Sequence, residues 1–201
     1  MGFRKSIVIA NVVVFSALAV ILASIKAEVP YPLLPYLKFD FAEIPVMIVL
    51  FIMGPIPSLI TEVIHWISLT VTHGWVLGPI MKFISVIPMI LGFWLGTAAY
   101  KKISGGARYN SIVSFILGNI IGIIARVVVA SIANIIVLTG GMYGTPPTLA
   151  ALMTILLLTG IFNTLHVPIS SIVSAIIVRG AVVRIPAIGE RAWMLIKPSK
   201  T

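Results

Sequence analysis

The sequence predicts an all-α integral membrane protein, a bundle of six transmembrane helices with the N- and C-termini on the cytoplasmic side. Three observations predict it. Hydrophobic residues make up 60% of the chain and charged residues 9%, too few polar groups to coat a soluble domain of this size. Apolar runs recur along the whole length, and crossing a hydrocarbon core as helix takes about 20 such residues. The basic residues gather at alternate ends of those runs, as membrane topology requires.

The first segment, 6–25, follows Arg4 and Lys5. It is long and has no small-x-small cleavage signal after it, so it is expected to stay as the first helix rather than leave as a signal peptide. Residues 26–41 hold Pro30, Pro32 and Pro35 with Tyr31 and Tyr36 between them. Proline removes a backbone donor and blocks helix, so this stretch is read as an extended external lid loop. Segment 42–54 is short and ends at Gly54-Pro55. Segments 57–72 and 78–100 follow, then a polar loop with Lys101, Lys102 and Arg108. Segment 109–138 leads through an uncharged Gly/Pro turn to 148–178, where Pro168 is expected to kink the helix. Residues 179–201 form a basic tail with a short surface helix expected around Trp193. The whole chain, 1–201, is read as a single substrate-binding domain.

Threading six helices alternately puts Arg4, Lys5, Lys101, Lys102, Arg108, Arg179, Arg184, Arg191, Lys197 and Lys200 on one side. Lys26 and Lys38 fall on the other. The basic-rich side is therefore cytoplasmic. The same distribution accounts for the formal charge of +9 and argues against a nucleic-acid partner, which would draw the charges into one stripe. There is no cysteine, which excludes disulfides and thiolate chemistry. His65, His73 and His166 lack metal-ligand spacing. No serine-protease, zinc-protease or nucleotide-binding motif is present, so no catalytic or metal-ligating residue is assigned.

Polar groups inside membrane helices are costly and need a partner or a cavity. Glu62 and His65 share one helical face and are expected to pair. Arg126 is expected to meet a carboxylate, with Glu62 a candidate, or backbone carbonyls. Lys82, Asn134, Asn163 and His166 can converge in the external half beneath the Pro/Tyr loop. A pair of amides beside an apolar wall can read a planar heterocycle with alternating donors and acceptors. Structural readings stand beside this one: Asn134 bonding a neighbouring helix, His166 as a packing histidine, Asp40 capping the second helix, Tyr31 and Tyr36 as interfacial aromatics. Ser16, Ala19, Ala23 and Ala27 share one face of the first helix. That face suits either packing within the chain or docking of a membrane partner.

At Leu37-Lys-Phe-Asp-Phe-Ala-Glu-Ile-Pro45 and Gly54-Pro55 the sequence resembles the substrate-binding S-components of energy-coupling factor (ECF) vitamin transporters, of the riboflavin-binding type. Arg126 and Asn134 recur at that family's spacing, and Phe162-Asn163 matches its F-N. The resemblance implies a multi-pass cell-membrane protein of a prokaryote that captures riboflavin from outside. It would pass the vitamin on with a transmembrane coupling subunit and two cytoplasmic ATPase subunits. Riboflavin would be the transported ligand, with no covalent cofactor. By that likeness Asn134 and Asn163 would hydrogen-bond the polar edge of the ring, and the candidate substrate-binding residues are Asn134, Asn163, His166, Lys82, Tyr36, Lys38 and Trp75. Lys38, Asp40 and Pro45 would shape the lid and the start of helix two, and Ser16, Ala19 and Ala23 would meet the coupling subunit. Three positions depart from the family: His166 replaces a lysine, His65 stands at a basic position, and Lys82 replaces an asparagine. They leave open an S-component for another vitamin or heterocyclic metabolite. Outside the family, a small membrane enzyme using Glu62, His65 or His166, or an assembly protein, are the alternatives.

Overall fold

The computed structural model describes residues 4–104, 109–190 and 192–195. Among them are seven helices and one hairpin: α1 Lys5–Ser24, β1 Glu28–Tyr31, β2 Leu34–Asp40, α2 Glu43–Met53, α3 Pro55–His73, α4 Leu77–Ser104, α5 Ser111–Thr139, α6 Leu149–Arg184 and α7 Pro186–Gly189. The six expected segments are all helical, with α7 as a short addition. Four helices, α1, α4, α5 and α6, are long and apolar enough to cross a membrane.

α2 is not. Its 11 residues reach about 16 Å at 1.5 Å per residue, roughly half the ~30 Å of a hydrocarbon core. It is apolar all round because it is enclosed all round: Pro45 and every residue from Val46 to Ile52 are buried, as the pattern of a core helix demands. Gly54, with φ +94°, turns the chain from α2 into α3. Pro55 and Pro57 then open α3, where missing donors cost nothing.

The C-terminal segment fills the space beyond α2. Trp193 N donates to Ile52 O at 2.9 Å and Met194 N to Phe51 O at 3.0 Å. These bonds satisfy carbonyls that the end of α2 leaves without helical partners. Among the described residues around Trp193 there is no surface helix, contrary to expectation. A short helix lies instead at Pro186–Gly189, and Trp193 sits in a turn against the bundle with Ala192 and Met194 buried beside it. Lys101, at the end of α4, donates to Trp193 O and lies 4.6 Å from that ring's centroid.

The lid corrects the all-α expectation. Residues expected as an extended loop pair as an antiparallel hairpin, Glu28 opposite Asp40, Val29 opposite Phe39 and Pro30 opposite Lys38. A two-stranded ribbon has free edges, and an edge tolerates proline. Lys38 forms an ion pair with Glu28 across the strands.

Of the two readings of the small-residue face of α1, packing within the chain is the one seen. Ser16, Ala19 and Ala23 are buried, and Ala19 and Ala23 cluster with Ala42 and with Leu69 of α3. The chain's own helices cover the face that was expected to meet a coupling subunit. Pro168 lies inside α6 and does not end it.

The closest helix contact joins α4 and α5. Gly92 and Gly96 on α4 face Gly118 and Gly122 on α5, two small-xxx-small steps meeting each other. A Cβ on Gly96 would stand 2.6 Å from Leu117 O, and one on Gly92 2.7 Å from Ile121 O. Below this contact Phe51, Phe93 and Phe115 pack together, with the Phe51 and Phe93 centroids 5.1 Å apart. Gly96→Ala is expected to lower stability by about 1–3 kcal/mol through overpacking. Gly180→Ala, where nothing lies within 4 Å, should not. Thermal unfolding of both variants in detergent checks this, and equal melting temperatures would refute it.

Candidate functional site

A charge placed in an apolar bundle must find partners or be driven out. Arg126, midway along α5 and 2% exposed, finds a partner for every N–H it has. Nη1 donates to Glu43 Oε2 at 2.7 Å and to Met89 Sδ at 3.2 Å. Nη2 donates to Glu43 Oε1 at 3.0 Å and lies 3.1 Å from His166 Nδ1. Nε donates to Asn163 Oδ1 at 2.8 Å. The fork matches the carboxylate bidentately, the strongest form of this pair. One guanidinium thus joins α2, α4, α5 and α6.

Each partner is held in turn. Glu43 lies in the first turn of α2, where a negative charge suits the helix N-terminus. Asn163 Nδ2 donates to Thr159 O at 2.9 Å, one turn back on α6. Ser174 Oγ, further down α6, donates to Ile44 O at 3.0 Å and ties that helix to the start of α2.

The hairpin roofs this cluster with aromatic rings. Phe39 lies 4.8 Å from Phe162 and meets the His166 ring edge-on at 5.4 Å. Tyr31, 5% exposed, packs 5.6 Å from Phe162 and 5.9 Å from Phe39. Asp40 pins the roof from below. Its Oδ1 accepts from Ala42 N at 2.6 Å and its other oxygen pairs with Lys82 of α4. Asp40 therefore orders the turn into α2 rather than capping that helix, because its side chain reaches only the residue before the first helical one.

The structure brings some of the sequence-predicted residues together and leaves others apart. Asn163 and His166 meet in the buried cluster, and Lys82 and Asp40 form the latch above it. Pro45 is buried in the first turns of α2. Asn134 stands two turns beyond Arg126, half-buried, with Nδ2 donating to Ala130 O of its own helix at 2.8 Å. Tyr36 and Trp75 are exposed at the hairpin end, and Trp75 meets Tyr143 edge-on at 5.6 Å. Partial burial and the nearby Tyr143 phenol raise the Tyr36 pKa above its usual value. Lys38 belongs to the hairpin ladder, paired with Glu28.

Glu43 was the residue that spacing could not single out. An intramembrane arginine demands a counter-charge, and both Glu43 and Glu62 lie within apolar surroundings. The arginine chose Glu43, not the expected Glu62. Glu62 instead pairs with His65, Oε2 to Nδ1 at 3.1 Å, as their spacing predicts. Both are buried, and Glu62 Oε1 and His65 Nε2 have no hydrogen-bond partner among the described residues. The aromatic wall of Phe39 and Phe162 also went unread, since nothing in a hairpin's sequence says which helix it will cover.

Planar hydrogen-bonding groups lie beside tilted and edge-on aromatic rings, an arrangement suited to a flat, polar-edged ligand. An apolar groove of about 420 Å³ between α5 and α6 is lined by outward-facing residues such as Leu157 and Leu165 and includes none of the cluster.

No family model matches the chain. It is similar to the riboflavin transporter RibU of Staphylococcus aureus (strain TCH60), with 30% identity over 169 residues, 82% of this chain and 84% of that protein. A solved structure of the S component of a bacterial ECF transporter superposes with a TM-score of 0.68 at 26% identity. The match covers 90% of this chain and 98% of that one.

Arg126→Ala should leave Glu43 buried without its counter-charge and cost about 3–5 kcal/mol. Chemical or thermal unfolding in detergent measures it. A loss below about 1 kcal/mol, the level of a surface pair, would contradict the buried fork.

Proposed function

The chain belongs to the family of the riboflavin transporter RibU, and from that premise we propose that it is the riboflavin-binding S-component of an ECF-type uptake system. The observation that carries this reading is the similarity to RibU along four-fifths of the chain. The polar cluster under an aromatic roof supports it, because a flavin ring offers a flat apolar face and an edge rich in hydrogen-bonding atoms.

In this reading the vitamin enters from the hairpin end, past Tyr36, Lys38 and Trp75. Asn163 and His166 read the polar edge of the ring, and Asn134 contributes from α5. Phe39, Tyr31 and Phe162 supply the stacking surface. Lys82 and Asp40 hold the roof in register. The opposite end, with Lys101, Lys102, Arg179 and Arg184, faces the cytoplasm of a prokaryotic cell. A transmembrane coupling subunit and two ATPase subunits supply the energy, since transport against a gradient needs a source outside this chain.

A second reading, an S-component for another heterocyclic vitamin, is favoured by His166, His65 and Lys82, the three positions that depart from the riboflavin type. Mass spectrometry of the ligand that co-purifies separates the two.

Purified protein should carry flavin absorbance or quench added riboflavin fluorescence at sub-micromolar concentration, and the absence of both would sink the proposal. Asn163→Ala and Asn134→Ala should each weaken binding by about 1–3 kcal/mol, the cost of a buried hydrogen-bonding group left unpaired. Titration calorimetry measures it, and unchanged affinity in both would remove the proposed site.

A further inference from the structure

We propose that Arg126 is a positioning residue that locks His166 as the neutral tautomer protonated on Nε2, so that the site offers its ligand an imidazole donor. This inference rests on the riboflavin-binding reading for the identity of the ligand, but its first half concerns the protein alone.

Two contacts fix the tautomer. A guanidinium has only donors. Arg126 Nη2 lies 3.1 Å from His166 Nδ1, so Nδ1 accepts and carries no proton. The ring's proton is then on Nε2. Independently, Nε2 lies 3.7 Å from Glu43 Oε2, a carboxylate that attracts an N–H and repels a lone pair. The opposite tautomer would set donor against donor at one nitrogen and lone pair against lone pair at the other. An imidazolium would keep the first of these clashes. All three side chains are at most 3% exposed, and polar mismatches cost most where water cannot repair them.

The same guanidinium sets the amide of Asn163. Its Nε donates to Oδ1, while Nδ2 donates to Thr159 O. Reversing the amide would break both bonds. Asn163 keeps one N–H and one lone pair to spare. His166 Nε2–H, at 3.7 Å from the carboxylate, is outside hydrogen-bonding distance and is also to spare. Two N–H donors one helical turn apart on α6 therefore remain for a ligand. They fit a heterocycle edge carrying adjacent acceptors, such as the carbonyl oxygens and unprotonated ring nitrogens of a flavin, and they disfavour an edge of donors. Arg126 need not touch the ligand. It decides what the two residues beside it can offer.

The test is ¹⁵N-histidine NMR of the full chain in detergent micelles at neutral pH, without ligand, with resonances assigned by substituting each histidine. Wild-type His166 should show one neutral ring protonated at Nε2. Arg126→Met combined with Glu43→Gln removes the pair without stranding a buried charge, a change such pairs commonly tolerate. In that variant His166 should show both tautomers, and riboflavin affinity should fall about tenfold or more, as expected when buried hydrogen bonds lose their geometry. His166→Gln, whose amide N–H reaches toward the position of Nε2, should bind riboflavin about tenfold more tightly than His166→Leu.

Protonation at Nδ1 or an imidazolium in the wild type overturns the proposal. So does a folded double variant with an unchanged tautomer, or a glutamine variant no better than leucine. If the double variant does not fold, the wild-type spectrum and the Gln/Leu pair still decide. A wild-type chain with the Nε2–H signal that binds no riboflavin overturns the function proposed above, and with it the ligand half of this inference, while the tautomer assignment stands.

Discussion

Five N–H donors of Arg126 reach five acceptor positions, and those positions sit on three helices other than its own. A buried ion pair of this kind gains little net stability over well-packed apolar residues, because both charges leave water. Its consequence is registry. If α2, α5 or α6 slides by one turn, a buried donor or acceptor loses its partner. The apolar contacts around it are far less selective, since leucine and isoleucine faces pack in many registers. The guanidinium therefore specifies which of the many packings of an apolar bundle is adopted.

That fork depends on how closely α4 and α5 approach. Gly92 is one turn from Met89, and Gly122 is one turn from Arg126. A Cβ on Gly122 would lie 3.3 Å from Met89 O. Bulkier residues here would push α4 away and take the sulfur acceptor with it. The burial of α2 follows from the same geometry. Glu43 must stand in the bundle centre to meet Arg126, so the short helix that carries it is enclosed on every side. A helix of that length cannot reach the far end, and the segment 192–195 occupies the remaining space, bonding the carbonyls α2 leaves open.

The hairpin covers this frame. Phe39 and Tyr31 touch α6 through Phe162 and His166, while Asp40 holds α4 through Lys82. The roof is thus anchored to both walls of the cluster. It is anchored by a partly exposed ion pair and by ring contacts, which are weaker than the buried fork below.

The membrane class, the helical character of the long apolar runs and the pairing of Glu62 with His65 are legible in the sequence. Each depends on local spacing: run length, proline placement, a turn of helix. Asn163 and His166 stand out in the sequence because a polar residue in an apolar run demands an explanation, and both meet Arg126. Three features were decided only by the tertiary structure. Arg126 had two carboxylates to choose from, and only the relative depth of α2 and α3 selects Glu43. The face of Ser16, Ala19 and Ala23 suited an internal or an external partner equally, and α3 covers it. The tail around Trp193 was read as a surface helix, yet it serves the open end of α2. Spacing along one chain records what each helix can present. Which helix receives it depends on distances between segments far apart in sequence, and those are set by packing in three dimensions.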